Sequence, residues 1–169
     1  VLSYGSGAFS DLTYGSRLRP TRFNTQLDDL SVGYDPASRI NSWSASGVTR
    51  GFGYDDLGRL TSATGPAGEA MSFIYNGAGN RSSSIVGGVP ETYTYNSATG
   101  RLSSVSGGYA NTYGYDSTGR LTSATGRTYT WTGLDRLASI TVGPTLAAYS
   151  YDGEGRRVKS TADGVSRYF

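Results

Sequence analysis

The sequence predicts an all-β fold: antiparallel β-hairpins laid side by side in a curved, coiling sheet, a section of a shell or tube. Three observations predict it. First, two aromatic residues stand two positions apart just ahead of a turn six times, at Phe52/Tyr54, Phe73/Tyr75, Tyr93/Tyr95, Tyr113/Tyr115, Tyr129/Trp131 and Tyr149/Tyr151. Second, the later members of these pairs follow one another at intervals of 21, 20, 20, 16 and 20 residues. A near-fixed period of this length marks a repeat architecture, in which each unit stacks on its neighbours. Third, the 169 residues include 25 glycines and 14 tyrosines, with no leucine-rich helical pattern.

Aligned on the later aromatic, the units open at Tyr34-Asp35-Pro36-Ala37-Ser38-Arg39-Ile40, Tyr54-Asp55-Asp56-Leu57-Gly58-Arg59-Leu60 and Tyr75-Asn76-Gly77-Ala78-Gly79-Asn80-Arg81. The fourth is Tyr95-Asn96-Ser97-Ala98-Thr99-Gly100-Arg101-Leu102. Tyr115-Asp116-Ser117-Thr118-Gly119-Arg120-Leu121, Trp131-Thr132-Gly133-Leu134-Asp135-Arg136-Leu137 and Tyr151-Asp152-Gly153-Glu154-Gly155-Arg156-Arg157 complete the set. Tyr14 lies twenty residues before Tyr34 and suits a degenerate leading copy. The expected organisation is therefore a degenerate repeat over 1–31 and an array of about seven hairpins over 32–169. The chain reads as a fragment of a longer polypeptide, because it begins and ends in mid-pattern.

Each position has a physical reason. Asp or Asn after the aromatic bonds its side chain to backbone amides two residues on, which suits the first position of a type I turn. Glycine three residues later tolerates the positive φ of a short hairpin loop. Before the turn, strands such as Thr92-Tyr93-Thr94-Tyr95 alternate with period two, so both aromatics face one side. After it run strands rich in small and β-branched residues, as in Arg136-Leu137-Ala138-Ser139-Ile140-Thr141. Their apolar residues recur at three positions (Leu102/Val105, Leu121/Ala124, Leu137/Ile140), which in a straight strand sends them to opposite faces. Either a bulge or burial of both faces reconciles this. Strands twist by roughly 20° from one to the next, so a strip of roughly fifteen has to coil or close.

Composition excludes much chemistry. With no cysteine there are no disulfides, thiol nucleophiles or thiolate metal sites, and with no histidine the usual general base and imidazole ligands are missing. The net charge of +2 exerts no strong pull on nucleic acid or anionic membrane, and no apolar run is long enough to span a bilayer. No catalytic, cofactor-binding or metal-ligating residues are assigned.

The Tyr-Asp-x-x-Gly-Arg-Leu core, clearest from Tyr54 to Leu60 and from Tyr115 to Leu121, resembles the YD repeat of the Rhs family. That family includes bacterial Rhs and wall-associated toxins, the B and C components of insecticidal toxin complexes, and the teneurins. The resemblance covers about Val32 to Phe169. It implies a sheet that spirals into a hollow shell around a C-terminal toxic domain or, in teneurins, a barrel used in cell adhesion. The chain departs from the pattern where Ser38 and Asp135 replace glycine, where Thr99 is an extra loop residue, and where Tyr115 to Trp131 is four residues short. The family's Asp-Pro-x-Gly self-cleavage segment and a variable C-terminal effector do not occur in this stretch, so self-cleavage and toxicity are not assigned to it.

The expected role is a non-catalytic wall of a secreted or surface bacterial protein that encloses or presents another polypeptide. The alternative is a self-assembling filament or tube subunit, or a glycan-binding adhesion module. Partners would be other repeats or identical subunits through strand edges, an enclosed polypeptide or surface glycans, and not nucleic acid. Aromatic faces suit sugar stacking, yet the same spacing suits sheet packing with each tyrosine hydroxyl on a polar partner. Asp35, Asp55, Asp116 and Asp152 fit turn capping better than a glycosidase pair. Arg59, Arg101, Arg120, Arg136 and Arg156 form a register expected to pair with aspartates of adjacent units. The basic stretch Arg17-Leu18-Arg19-Pro20-Thr21-Arg22-Phe23 reads as a solvated loop or strand edge, and Gly77-Ala78-Gly79 as a turn rather than a phosphate loop.

Overall fold

The computed structural model describes residues 2–3, 9–25 and 29–169, with side chains for 11–24 and 29–169; part of the leading segment 1–31 lies outside them. The predicted all-β array of antiparallel hairpins is present. Eighteen strands and no helices occur among the described residues, so no helix there is long and apolar enough to cross a membrane.

The chain divides into two units, Val1–Thr92 and Tyr93–Phe169. The first holds β1 (Leu2–Ser3), β2 (Phe9–Tyr14), β3 (Pro20–Thr25), β4 (Asp29–Tyr34), β5 (Ile40–Ala45), β6 (Val48–Tyr54), β7 (Leu60–Thr64), β8 (Met71–Tyr75), β9 (Arg81–Val86) and most of β10 (Val89–Tyr95). Each pairs antiparallel with its successor. The second unit holds the end of β10, then β11 (Leu102–Gly107), β12 (Asn111–Tyr115), β13 (Leu121–Ala124), β14 (Arg127–Trp131), β15 (Leu137–Val142), β16 (Thr145–Tyr151), β17 (Arg157–Ala162) and β18 (Val165–Tyr168). From β11 to β18 the same sequential antiparallel pairing holds.

The three-residue spacing of apolar positions is explained by a bulge. In the β6–β7 hairpin Gly53 faces Ser62 but Tyr54 faces Leu60, which leaves Thr61 unpaired. The extra residue resets the alternation, so Leu60 and Ala63 lie on one face, opposite Tyr54 and Phe52. The same shift occurs between Gly114 and Tyr115 and between Thr130 and Trp131, and brings Leu121/Ala124 and Leu137/Ile140 onto the aromatic face. Tyr14, in the leading segment, carries it too, with Arg22 opposite Thr13 and Pro20 opposite Tyr14.

The two faces of each unit consequently differ in chemistry. One carries the aromatic pairs with Leu, Ile, Val and Ala. The other is a surface of Ser, Thr and Gly, as in the run of pairs Gly33–Ser42, Ser42–Gly51, Gly53–Ser62 and Ser62–Ser72. Close approach requires the glycines here: a Cβ on Gly33, Gly53 or Gly114 would overlap the hydroxyl of Ser42, Ser62 or Ser123. No second layer covers either face among the described residues, where only Val105 and Ser84 are buried. Stability therefore comes from ladders and neighbour contacts rather than from a dry core.

Away from the aromatic turns, β5–β6, β9–β10 and β17–β18 close through two-residue loops, Ser46-Gly47, Gly87-Gly88 and Asp163-Gly164. Both residues of each loop have positive φ, the conformation whose twist matches that of the strands.

Candidate functional site: the aspartate turn and the tyrosine clasp

The aromatic end of each hairpin is where the conspicuous residues gather. In the Tyr54 unit the Asp55 amide donates to the Arg59 carbonyl at 3.0 Å, and the Gly58 amide donates to the Asp55 carbonyl at 2.9 Å. The Asp55 carboxylate caps the loop from inside, with Oδ1 accepting from the Leu57 and Arg59 amides at 3.0 and 2.9 Å. Its Oδ2 accepts from Arg59 Nε at 2.7 Å. Asp35–Arg39, Asp116–Arg120 and Asp152–Arg156 repeat this pairing at 2.6, 2.6 and 3.0 Å. The arginine register is thus tied to its own turn, four residues back, and not chiefly to adjacent aspartates. A four-residue loop brings the two side chains together more directly than the inter-strand gap does. Arg120 alone among the described residues adds a carboxylate of the next unit, that of Asp135, at 2.6 Å.

These contacts acidify the carboxyls. Asp35 and Asp152 lie below the ordinary carboxylate range, first because of the Arg39 and Arg156 amides. For Asp55, desolvation pushes upward but is outweighed by the Arg59 amide and guanidinium. Asp116 is lowered furthest, through the Thr118 hydroxyl and then, against desolvation, Arg120. All four are saturated with donors, the opposite of a poised catalytic acid.

Gly58, Gly79, Gly100, Gly119 and Gly155 all have positive φ. Ser38 and Asp135 adopt the same conformation (φ 71° and 59°) although they carry side chains. Backbone geometry is kept where the residue type is not.

A second set of contacts, which sequence reasoning missed, joins five of the units to the one before. The Tyr54 hydroxyl donates to the Ile40 carbonyl at 2.7 Å, Tyr75 to Leu60 at 2.8 Å, Tyr34 to Pro20 at 2.8 Å and Tyr151 to Leu137 at 2.9 Å. The indole N–H of Trp131 takes the place of the phenol and donates to Leu121 at 2.8 Å. Every acceptor is the first residue of the preceding bulge. The arginine just before that residue lies over the same ring: Arg19 on Tyr34 at 4.3 Å, Arg39 on Tyr54 at 4.7 Å, Arg59 on Tyr75 at 4.6 Å and Arg136 on Tyr151 at 5.7 Å. Between units the backbone ladder ends two residues short of the bulge residue, at Ser42–Gly51 and Ser62–Ser72 for example. Beyond that point this clasp of guanidinium, ring and hydroxyl closes the splayed strand ends. The signal in the sequence is the offset of 14–16 residues from a turn arginine to the next unit's aromatic, kept at Arg19, Arg39, Arg59, Arg101 and Arg136 and shortened to 11 at Arg120.

The clasp also disposes of the basic stretch at 17–23. Arg17 donates to the Pro36 carbonyl at 2.7 Å, Arg19 stacks on Tyr34, and Arg22 holds Asp29 through two bonds of 2.8 and 2.6 Å.

Residues 33–70, which include the whole Tyr54 hairpin, match the RHS Repeat family. This stretch is an RHS repeat. The hairpins that turn after Tyr14, Tyr34, Tyr75, Tyr115, Trp131 and Tyr151 share its bulge. No curated protein matches the chain, but solved structures do. The crystal structure of TcdB2-TccC3-Cdc42 is similar with a TM-score of 0.67 at 16% identity, over 86% of this chain and 10% of that one. That of TcdB2-TccC3-TEV follows with a TM-score of 0.66 at 17% identity, over 80% and 9%. TcdB2-TccC3 without its hypervariable C-terminal region gives 0.65 at 16% identity, over 83% and 9%. At such identities the likeness is one of fold, and the chain spans about a tenth of the length of those chains.

Proposed function

We propose that this chain is a section of a structural RHS-repeat wall in a secreted or surface bacterial protein, which encloses or presents another polypeptide and has no catalysis of its own. The observation that carries this reading is the clasp. Arginine and tyrosine join one hairpin to the next and the turn aspartate closes its own loop, so the repeat's most chemically capable residues are occupied by the architecture. The donor-saturated aspartates support a non-enzymatic role, and the likeness to the TcdB2-TccC3 crystal structures supports a wall within a toxin complex. Its partners would be flanking repeats and an enclosed polypeptide.

The alternative is a self-assembling filament or tube subunit, since the edges of such a strip pair readily with another strand. Electron microscopy of the native full-length particle separates the two. A closed hollow particle of fixed size is expected, and long tubes or fibres with a short axial repeat would replace the wall by a filament subunit.

A further inference from the structure

One junction departs from the clasp, and the departure opens a site. Where the Tyr95 hairpin meets the Tyr115 hairpin, the loop carries the extra residue Thr99, and Asn96 stands in place of the turn aspartate. Asn96 Oδ1 accepts from the Ala98 and Thr99 amides at 3.0 and 2.9 Å, but it offers no charge to Arg101. The Arg101 guanidinium lies 5.9 Å from the Tyr115 ring, against 4.3–4.7 Å for Arg19, Arg39 and Arg59 on theirs. The Tyr115 hydroxyl makes no bond to the preceding strand among the described residues, unlike Tyr34, Tyr54, Tyr75, Trp131 and Tyr151. Arg101 makes no ion pair among the described residues, whereas Arg39, Arg59, Arg120 and Arg156 all do.

The unclosed wedge is a cleft of about 410 Å³, with Asn96, Thr99, Arg101, Ser103 and Ser117 among its polar groups and Tyr113 and Tyr115 among its walls. Asp116 also borders it, but that carboxylate is occupied by Thr118 at 2.8 Å and Arg120 at 2.6 Å. Asp116 and Arg120 cancel, which leaves the cleft with the single positive charge of Arg101.

We propose that this cleft binds a small carboxylate ligand, with the Arg101 guanidinium as its anchor. The planar guanidinium matches a carboxylate through two parallel bonds. The Asn96 side-chain N–H and the Ser117 hydroxyl supply further donors, while the Thr99 hydroxyl is held by Asn96 and the Arg101 amide, and the tyrosine rings receive a compact ring-sized body. A monoanion is matched better than a dianion such as phosphate, because Arg101 offers one positive charge and nothing else in the cleft balances a second negative one. The ligand supplies to Arg101 the negative charge that Asp55 and Asp116 give to Arg59 and Arg120.

Calorimetric titration of the full chain with benzoate and glucuronate tests this, with benzyl alcohol and methyl glucoside as uncharged matches and inorganic phosphate as the dianion. One-to-one binding of at least one acid is expected, with its uncharged match about tenfold weaker or more. Preference between the two acids tells an aromatic acid from a sugar acid. Arg101→Gln should abolish the binding. Asn96→Asp should weaken it similarly by supplying an internal carboxylate, while the unfolding midpoint is kept, so loss of fold is not mistaken for loss of the site. The assignment falls if neither acid binds, if phosphate binds more tightly, or if both variants bind like the parent.

Discussion

The junction that joins the Tyr54 and Tyr75 hairpins in the first unit and the one that joins the Tyr95 and Tyr115 hairpins in the second are built from nearly the same residues, yet one is closed and the other open. In the closed junction Asp55 fixes Arg59 at 2.7 Å, Arg59 lies 4.6 Å from the Tyr75 ring, and the Tyr75 hydroxyl reaches the Leu60 carbonyl at 2.8 Å. In the open one the turn has an inserted residue and Asn in place of Asp, Arg101 lacks an ion pair among the described residues and lies 5.9 Å from the Tyr115 ring, and the hydroxyl bond to the preceding strand is missing. Backbone pairing is otherwise equivalent, with ladders ending at Ser62–Ser72 and Ser104–Thr112. Strand pairing therefore does not close a junction. The side chains at the turn do, and a repeat array can trade one closure for a cleft without losing its sheet.

The strongest way to break the comparison is to remove the ring. Tyr75→Ala takes away the surface on which Arg59 lies and the donor to Leu60, and should cost about 2–3 kcal/mol, below the full cost for a buried aromatic because Tyr75 is only half-buried. Tyr115→Ala should cost clearly less. Both are read from denaturant midpoints at unchanged slope. Equal losses would mean that the ring, and not the closed clasp, carries the stability.

Removing only the hydroxyl sharpens the contrast. Tyr75→Phe deletes one bond to a backbone carbonyl that then lacks its side-chain donor, a loss of about 1 kcal/mol. Tyr115→Phe deletes a hydroxyl with no partner among the described residues and should be nearly neutral. A comparable loss in both would show that Tyr115 is clasped in solution.

Much of this was legible in the sequence. The twenty-residue period yields the hairpins, and Asp or Asn followed by glycine yields the turns, because turn geometry is decided by residues close together in the chain. The bulge was half legible. The Leu60/Ala63 spacing demanded either a bulge or two buried faces, and only the pairing of Ser62 with Gly53 and Leu60 with Tyr54 decides it. The clasp was not read, because a phenol and a carbonyl about fourteen residues apart meet only once the strands are registered. The turn arginines were assigned to neighbouring aspartates for the same reason: charge pairing is apparent in sequence, but the geometry that selects a partner is not.

Acid separates the two junctions by chemistry. Each turn aspartate has a folded pKa below its unfolded value, so it stabilises the fold above the unfolded pKa of about 4, and the contribution is lost as pH falls through the folded value. Thermal stability should thus fall from about pH 4 downward. Asp116→Asn should make that fall shallower, since Asp116 is the most strongly lowered of the group. Asn96→Asp should make it steeper by giving the open junction a titrating turn. A fall unchanged in both variants would mean that turn carboxylates do not govern acid sensitivity.

The smallest effect concerns the backbone, in the leading Tyr14 hairpin. The Gly15 amide donates to the Arg19 carbonyl and the Leu18 amide to the Gly15 carbonyl, both at 2.9 Å, the bonds of the Asp55–Arg59 turn. Leu18 sits where that turn has Gly58, with a φ of 55° against 78°. A left-handed backbone costs a side-chain-bearing residue about 1–2 kcal/mol, and Leu18 is 84% exposed, so little packing offsets it. Leu18→Gly removes this strain but loosens the unfolded chain, which returns about 0.5–1 kcal/mol. The net expectation is a gain of about 0.5–1 kcal/mol by the difference. Gly58→Ala is the mirror experiment. The added Cβ would meet only Arg39 Nη1, at an ordinary 3.6 Å, so its loss of about 1 kcal/mol is a backbone cost. Opposite signs at the two positions would show that conformation at this point of the turn is imposed by the hairpin, whichever residue occupies it. Destabilisation by Leu18→Gly would instead show that the leading hairpin has a different loop in solution.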